Sequence, residues 1–371
     1  MMELHLVGGF LGSGKTTAIA SAARMLVSQG IKVAIITNEQ GRHLVDTGFI
    51  RSENLPALDV TEGCICCHLD DFADRIEEIS QKFNPEILFA ESVGSCADLV
   101  ATVINPLLEI RKTSAVPASL SVFADSRLFL RWLKGQEMPF SEQVMYIYDK
   151  QLEEAGLIVI NKVDLFTEEE KEEVFTLANK RFPQKQIRLQ NSLEENQVRD
   201  WLEQIRSQAG LLTGESLEID YDLYADGESR FTWLEKEIRL FAGRQLLIDQ
   251  ICDFVEKLPG KLPDEELRIA HIKFLLDSNH NSKKISVTGE ELLAGQLLEE
   301  LEAEFTFFDG QVHFFINIMV EGASLELEST VNEMLKVYFG IPGIKFEELS
   351  SFIRVPGYPK PTMRVPEKKN N

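Results

Sequence analysis

Residues Gly9 to Thr17 read G-F-L-G-S-G-K-T-T directly after the apolar run Leu4–Val7, so a glycine-rich loop stands where a first strand hands over to a helix. Gly9, Gly12 and Gly14 permit backbone conformations that a β-carbon blocks, turning successive N–H groups inward around a phosphate at the positive end of the next helix. In that geometry Ser13, Lys15, Thr16 and Thr17 line the phosphates, with Lys15 bridging the β and γ groups and Thr16 holding Mg2+. A chance glycine turn is the competing reading. The strand–loop–helix order and the adjoining Lys-Thr pair weigh against it.

A second signature points to the base. The apolar run Ala155–Ile160 has the pattern of a buried strand, and Asn161-Lys162-Val163-Asp164 follow at its carboxyl end. The Asp164 carboxylate can accept two hydrogen bonds from the N1–H and exocyclic amine of guanine, which adenine does not offer. A site built on such bonds discriminates by about 10⁴ or more. Lys162 would lay its methylene stem on the base, and Asn161 would tie the base edge to the loop. Alone, the four residues also suit a charged turn; beside the phosphate loop they point to GTP and GDP.

The third feature is Glu62-Gly63-Cys64-Ile65-Cys66-Cys67-His68, which gathers three of the five cysteines within four residues. A helix is predicted to follow, because Leu69, Phe72, Ile76, Ile79 and Phe83 recur at helical spacing with Asp70 and Asp71 in the first turn. Its amino end favours thiolates and hence metal capture, with Zn2+ the default ion and a fourth ligand to come from His68, His43, a carboxylate, water or a partner protein. A transferred or sensed metal, a structural zinc and a redox pair are all open. Cys96 and Cys252 stand alone in sequence. Cys252 sits in an apolar helical stretch and reads as core, whereas Cys96 follows Gly94-Ser95 near the nucleotide.

Taken in order, G-F-L-G-S-G-K-T-T, N-E-Q-G, G-C-I-C-C, A-E-S-V-G and N-K-V-D resemble the CobW-type (cobalamin-synthesis-protein-like) P-loop GTPases, relatives of the nickel-insertion GTPases of urease and hydrogenase. The resemblance covers roughly residues 1 to 210. It implies a GTPase acting as a metallochaperone or metal-insertion factor, with Zn2+, or Co2+ or Ni2+, on Cys64, Cys66 and Cys67. It also implies that Glu91 orders the Mg2+ shell with Thr16, so that Lys15, Thr16 and Glu91 serve hydrolysis, and it puts Asn38, Glu39 and Asp46 in a switch-like segment. The implied partner is a metal-dependent client enzyme. Two alternatives are a GTPase activator or assembly factor for a corrinoid protein, and a zinc sensor or buffer; homodimerisation is open.

The chain departs from that family where N-E-F-G-E becomes Asn38-Glu39-Gln40-Gly41-Arg42, a cation replacing a carboxylate, with His43 next. Nor does it carry a His-rich tract: six histidines are dispersed, and His271 and His313 lie in strand-like stretches that read as core or interface. No glutamine stands beside Gly94 to orient water, and Arg42 is the candidate arginine finger, so basal turnover is expected at about 10⁻³ s⁻¹ or slower. A net charge of −22 excludes nucleic acid and an anionic membrane as expected partners. No leader or membrane-length apolar run is read, so a reducing cytoplasm is expected, where thiols stay available to metal.

Apolar runs at 4–7, 31–37, 87–90, 120–124 and 157–160, with a further one at 187–190, alternate with helical patterns. The expected fold is α/β, a doubly wound, mostly parallel sheet over residues 1–212, with Asp125 ending one strand and shaping a loop, and Gln190–Ser192 in the place of a last base-contacting loop. A smaller α+β domain of ferredoxin-like type is expected over 228–356, with strands at 231–241, 267–276, 311–320 and 344–355 and helices at 244–258 and 324–339. A hairpin or loop at 279–284 and a helix at 290–304 complete it, and 357–371 is expected to be an extended, solvated tail.

Overall fold

In the computed structural model seven strands pair wholly in parallel, in the order β3-β2-β4-β1-β5-β6-β7. The structure describes residues 2–38, 45–60, 64–110, 113–207, 211–212, 216–262, 267–278, 282–288, 301, 310–322 and 324–366. The strands are β1 (Met2–Gly9), β2 (Val33–Thr37), β3 (Ala57–Asp59), β4 (Ile87–Glu91), β5 (Ala115–Asp125), β6 (Leu157–Asn161) and β7 (Gln186–Gln190). Helices α1 (Lys15–Ser28), α3 (Leu69–Phe83), α4 (Asn105–Glu109), α5 (Ser126–Leu133), α6 (Glu142–Glu154), α7 (Glu168–Arg181), α8 (Glu195–Ser207) and α9 (Tyr221–Ser229) accompany them; α2 (Val45–Ser52) lies elsewhere, as described below. The chain forms two units, and β3, a three-residue edge strand, was not read in the sequence.

Strand burial explains the parallel sheet: β2, β4 and β6 are buried at every position, which requires cover on both faces. On α8, Val198, Trp201, Leu202 and Ile205 fall at helical spacing and are all buried. The Trp201 ring meets Phe123 edge-on at 5.3 Å and stacks on Phe89 at 6.0 Å, while its Nε1 donates to Ser121 Oγ at 3.1 Å.

The second unit is an antiparallel sheet in the order β10-β9-β11-β8-β12, made of β8 (Phe231–Phe241), β9 (Arg268–Asp277), β10 (Ser282–Val287), β11 (Gln311–Glu321) and β12 (Lys345–Arg354). Removing β10 leaves the two β-α-β repeats of a ferredoxin-like fold, with α10 (Arg244–Lys257) and α11 (Ser324–Phe339) as their helices. Phe254 of α10 is the hub of the core, meeting the rings of Phe274, Phe314 and Phe339 within 6.2 Å. Of the expected hairpin or loop at 279–284, residues 282–284 open β10, antiparallel to β9 with Lys283 and Lys284 opposite Leu276 and Leu275, and 279–281 lie outside the described residues. The expected helix at 290–304 lies, apart from Leu301, outside the described residues.

α2 clusters with this second unit. Its Asp46, expected in the switch-like segment, is buried and accepts from both Lys273 Nζ on β9 and Lys284 Nζ on β10. Burial alone would raise its pKa, but the two ammonium groups outweigh that and hold the carboxyl well below the usual range. Stability from this pairing is therefore full above the unfolded-state pKa of about 4 and is lost as pH falls below it. Asp46→Asn should cost about 3–5 kcal/mol in urea denaturation at pH 7. The difference from the parent chain should narrow below about pH 4, and a constant difference down to pH 2 would rule the ion pair out as its source.

Candidate nucleotide and metal site

The loop between β1 and α1 turns through Gly9, Gly12 and Gly14 at φ of 123°, 72° and 88°. Gly9 carries the tightest requirement of the loop, since a β-carbon there would lie 2.1 Å from Phe123 O, and one at Gly14 would meet Asn161 Nδ2 at 2.3 Å, both in positive-φ conformations that side chains resist. α1 starts immediately after it, and no described side chain caps its first turn, so its leading N–H groups face the loop. Lys15 is buried and its Nζ donates to Gly9 O at 2.8 Å and Phe10 O at 3.2 Å. Thr16 Oγ1 donates to Glu91 Oε1 at 3.0 Å, joining α1 to the end of β4. Ser13 Oγ is buried with no protein partner among the described residues. A loop of inward N–H groups, an orphaned hydroxyl and a buried ammonium fit a polyphosphate, and the Thr16–Glu91 pair fits the oxygen shell of Mg2+.

At the end of β6, Asn161 Nδ2 donates to Ser13 O at 2.8 Å, and its Oδ1 accepts from Ser192 N at 3.1 Å and Ser192 Oγ at 2.8 Å. The loop after β7, which carried no motif, thus fixes the asparagine that fixes the phosphate loop. Lys162 takes a left-handed φ of 64°, its carbonyl accepts from Ser126 Oγ at 3.0 Å, and its Nζ lies 3.2 Å from Asp125 Oδ2. Asp125 also caps α5 by accepting from Arg127 N at 3.0 Å. Burial would raise its pKa, but Arg127 and Lys162 hold it below the usual value. Asp164 stands exposed on a short 3₁₀ turn, Val163–Leu165, beyond these anchored residues.

The sulfur atoms of Cys64, Cys66 and Cys67 come within 4.8 Å of one another just before α3, which begins at Leu69 as the spacing predicts. Cys64 Sγ and Cys66 Sγ are 2.6 Å apart, and Cys66 and Cys67 Sγ 4.0 Å. Hydrogen bonds from Cys66, Cys67 and Cys96 push Cys64 well below the usual thiol pKa, while Cys67, donating to Cys64, is pushed up to about 12. A bound cation would favour the thiolate forms and draw off thiol protons. His68 instead lies 3.3 Å from Asp71 Oδ2 and is outside the sulfur group. Glu39, Arg42 and His43 fall outside the described residues, Cys252 is buried in the second unit's core, and His271 pairs with Asn317 at 3.1 Å. His313 pairs with Arg239, also at 3.1 Å.

Two features take roles that the sequence did not announce, one of them at Asn38, the first residue of N-E-Q-G. Asn38, at the end of β2, accepts from Ile65 N at 2.9 Å and donates to Val60 O at 3.1 Å, so its amide holds the backbone between Cys64 and Cys66. The closing segment, expected as a solvated tail, instead lies along the first unit. Thr362 Oγ1 donates to Cys67 O at 2.5 Å, Arg364 Nε donates to Asp98 Oδ2 at 2.7 Å, and Val365 N donates to Ala101 O at 2.7 Å. Ala101 belongs to a π-helical turn, Val100–Ile104, whose wider spacing releases carbonyls to outside donors.

A β1–glycine loop–α1 unit on a parallel sheet, its lysine buried and its threonine bonded to an acidic strand end, defines the class of P-loop nucleotide-binding proteins. Residues 3–188 match the family described as CobW/HypB/UreG, nucleotide-binding domain, and the chain belongs to that family. Among curated proteins it is similar to the zinc chaperone CobW of Sinorhizobium sp, 28% identical over 182 residues, 43% of this chain and 50% of that protein. It is similar to the zinc-regulated GTPase metalloprotein activator 1 of Dictyostelium discoideum, 23% identical over 45% of this chain and 41% of that protein. The chain spans about half the length of the curated relatives it matches. Similar solved structures include HypB from Helicobacter pylori in complex with nickel, at 18% identity over 58% of this chain and 92% of that chain, TM-score 0.41. Another is Zn(II)-bound YjiA GTPase from E. coli, at 12% identity over 90% and 98%, TM-score 0.37. No helix among the described residues is long and apolar enough to cross a membrane.

If the Asn38 amide sets the sulfur loop, Asn38→Ala should weaken Zn2+ binding by roughly tenfold, the worth of one or two hydrogen bonds. Competition against a chromophoric chelator measures this, and an unchanged affinity would mean that other contacts set the loop.

Proposed function

We propose that the chain is a GTP-binding and GTP-hydrolysing metallochaperone or metal-insertion factor. It takes Zn2+, or Co2+ or Ni2+, on Cys64, Cys66 and Cys67 and hands it to a metal-dependent client enzyme under control of the bound nucleotide. One observation carries this reading: the strand end that would complete the Mg2+ shell also begins the segment that reaches the sulfur cluster. Glu91 accepts from Thr16, Gly94 packs on Leu11 of the phosphate loop so closely that a β-carbon would lie 2.6 Å from Leu11 Cδ2, and Cys96 Sγ then stands 3.7 Å from Cys66 Sγ. Relatives described as zinc chaperones and as a zinc-regulated GTPase metalloprotein activator support the same reading.

The residues divide the work. Gly9, Gly12, Ser13, Gly14, Lys15, Thr16 and Thr17 hold the phosphates, and Asn161, Lys162 and Asp164 hold the guanine, with Asp164 its reader. Mg2+, taken on Thr16 directly and on Glu91 through water, would neutralise charge developing on the phosphates. Water attacks the γ-phosphate in line, the bond to the β-phosphate oxygen breaks, and Lys15 with the loop N–H groups takes up the negative charge on GDP and phosphate. Ser95 and Cys96 follow Gly94 where a water-orienting glutamine would be wanted, so basal hydrolysis is slow.

By linkage, a nucleotide that changes metal affinity is itself bound more or less tightly when metal is present, by the same factor. Titration of metal-free protein with Co2+, once with GDP and once with a non-hydrolysable GTP analogue, should give affinities at least tenfold apart, about 1.4 kcal/mol of coupling. Equal affinities would leave the sulfur site structural or regulatory. Asp164→Asn should shift preference from GTP toward xanthosine triphosphate, whose ring carbonyl accepts where guanine donates; competition binding with both nucleotides reads this, and an unchanged ratio would put the base elsewhere.

A further inference from the structure

Cys96 was the cysteine without a motif, thirty positions beyond Cys66 in the chain. We propose that it is the fourth thiolate of the metal site, so that the cargo ion is enclosed by four sulfurs, Cys64, Cys66, Cys67 and Cys96. The inference rests on the three-cysteine metal reading and extends it. Four sulfurs about 2.3 Å from a tetrahedral zinc lie about 3.8 Å from one another. Cys96 Sγ and Cys67 Sγ stand 3.7 Å and 4.0 Å from Cys66 Sγ, which are such edges; on binding, the Cys64–Cys66 edge, at 2.6 Å, opens by about 1 Å, and Cys96, which lies beyond 4.8 Å from the sulfur of Cys64 or of Cys67, closes on the ion.

The loop that carries Cys96 is fixed as a ligand loop must be. Gln151 Nε2, buried on α6, donates to both Gly94 O at 2.9 Å and Cys96 O at 2.8 Å. Tyr224 OH accepts from Ala97 N at 3.1 Å and donates to Ser95 O at 3.2 Å. Asp98, at a left-handed φ of 67° and fully buried, accepts from Tyr221 OH at 2.7 Å and from Arg364 of the closing segment at 2.7 Å. The side chain of Cys96 itself is 2% exposed, so the fourth position faces the sulfur cluster rather than water. Four soft donors in a tetrahedron select zinc, or cobalt as its probe, over ions that want oxygen or a square-planar field.

The test is a Co2+ titration of the full-length, metal-free protein and of its Cys96→Ser and Cys66→Ser variants, read by sulfur-to-cobalt charge-transfer absorption, with guanine-nucleotide binding as the check on folding. Cys96→Ser should lose about a quarter of the charge-transfer intensity, shift the ligand-field bands to shorter wavelength and weaken Zn2+ at least tenfold. A Cys96→Ser spectrum like the parent's, with Cys66→Ser losing sulfur bands, would overturn the fourth ligand and leave the three-cysteine site intact. If Cys66→Ser also changes nothing, the metal reading itself falls. Should Cys96→Ser fail to fold, zinc-edge X-ray absorption of the parent protein decides alone: four sulfurs support the proposal, and three sulfurs with one nitrogen or oxygen overturn it.

Discussion

The contact between Gly94 and the phosphate loop is what the rest of the first unit is arranged around. With a β-carbon at 94 three atoms of Leu11, one of them its backbone N, would sit within 3.0 Å, so the chain leaving β4 can pass here only as glycine. Before that point lies Glu91, bonded to Thr16; after it lies Cys96, beside Cys66. A few residues of backbone therefore answer to two chemistries, an oxygen shell for a hard cation at one end and a sulfur cluster for a soft one at the other. Gln151 grips the carbonyls of both Gly94 and Cys96, which ties the sulfur end to the glycine packed on the phosphate loop.

Electrostatics in this region run against the overall charge of −22. Asp98 is buried and paired with Arg364, and Asp125 is buried between Arg127 and Lys162, so these two carboxylates are neutralised locally. Among the described residues the sulfur group gathers the soft donors, with Cys64 held well below the usual thiol pKa by its thiol neighbours. Burial of Glu154 pushes its pKa well up, with Asp98 adding to the rise, while its Oε2 accepts from Val100 N at 3.3 Å. A carboxyl there adds little negative field to that of the thiolates.

How much of this was legible depends on whether the determinants were local. The phosphate loop, Asn161–Asp164 and the start of α3 were readable because each combines turn chemistry with periodicity inside a dozen residues. The strand Phe231–Phe241 and the helix Ser324–Phe339 have the bounds their patterns predict. β3 escaped because three residues carry no period; Ser282-Lys283-Lys284 read as hairpin or loop, and lysines are what the edge strand they open tolerates. The partners of Asp46 are 227 and 238 residues away, and Arg364 meets Asp98 across 266. Charge pairing at such separations leaves no mark on a local window, so Asp46 was placed with the switch and the closing segment with the solvent. Ser192 was hidden for the same reason: its role is to hold Asn161, and nothing in its own neighbours says so.

The last described residues return to the first unit after the chain has built the second, so residues 228–358 form an insertion rather than an appendage. Cutting the protein at the end of residue 227 would remove more than a neighbouring domain. It would also take away Thr362, Arg364 and Val365, exposing the buried Asp98 carboxylate and the Ala101 carbonyl and leaving Cys67 without the hydroxyl on its backbone oxygen. Excising 228–358 would in turn strip Lys273 and Lys284 from the buried Asp46 of α2, so the two units are interleaved along the chain and no single cut or excision releases the first one intact.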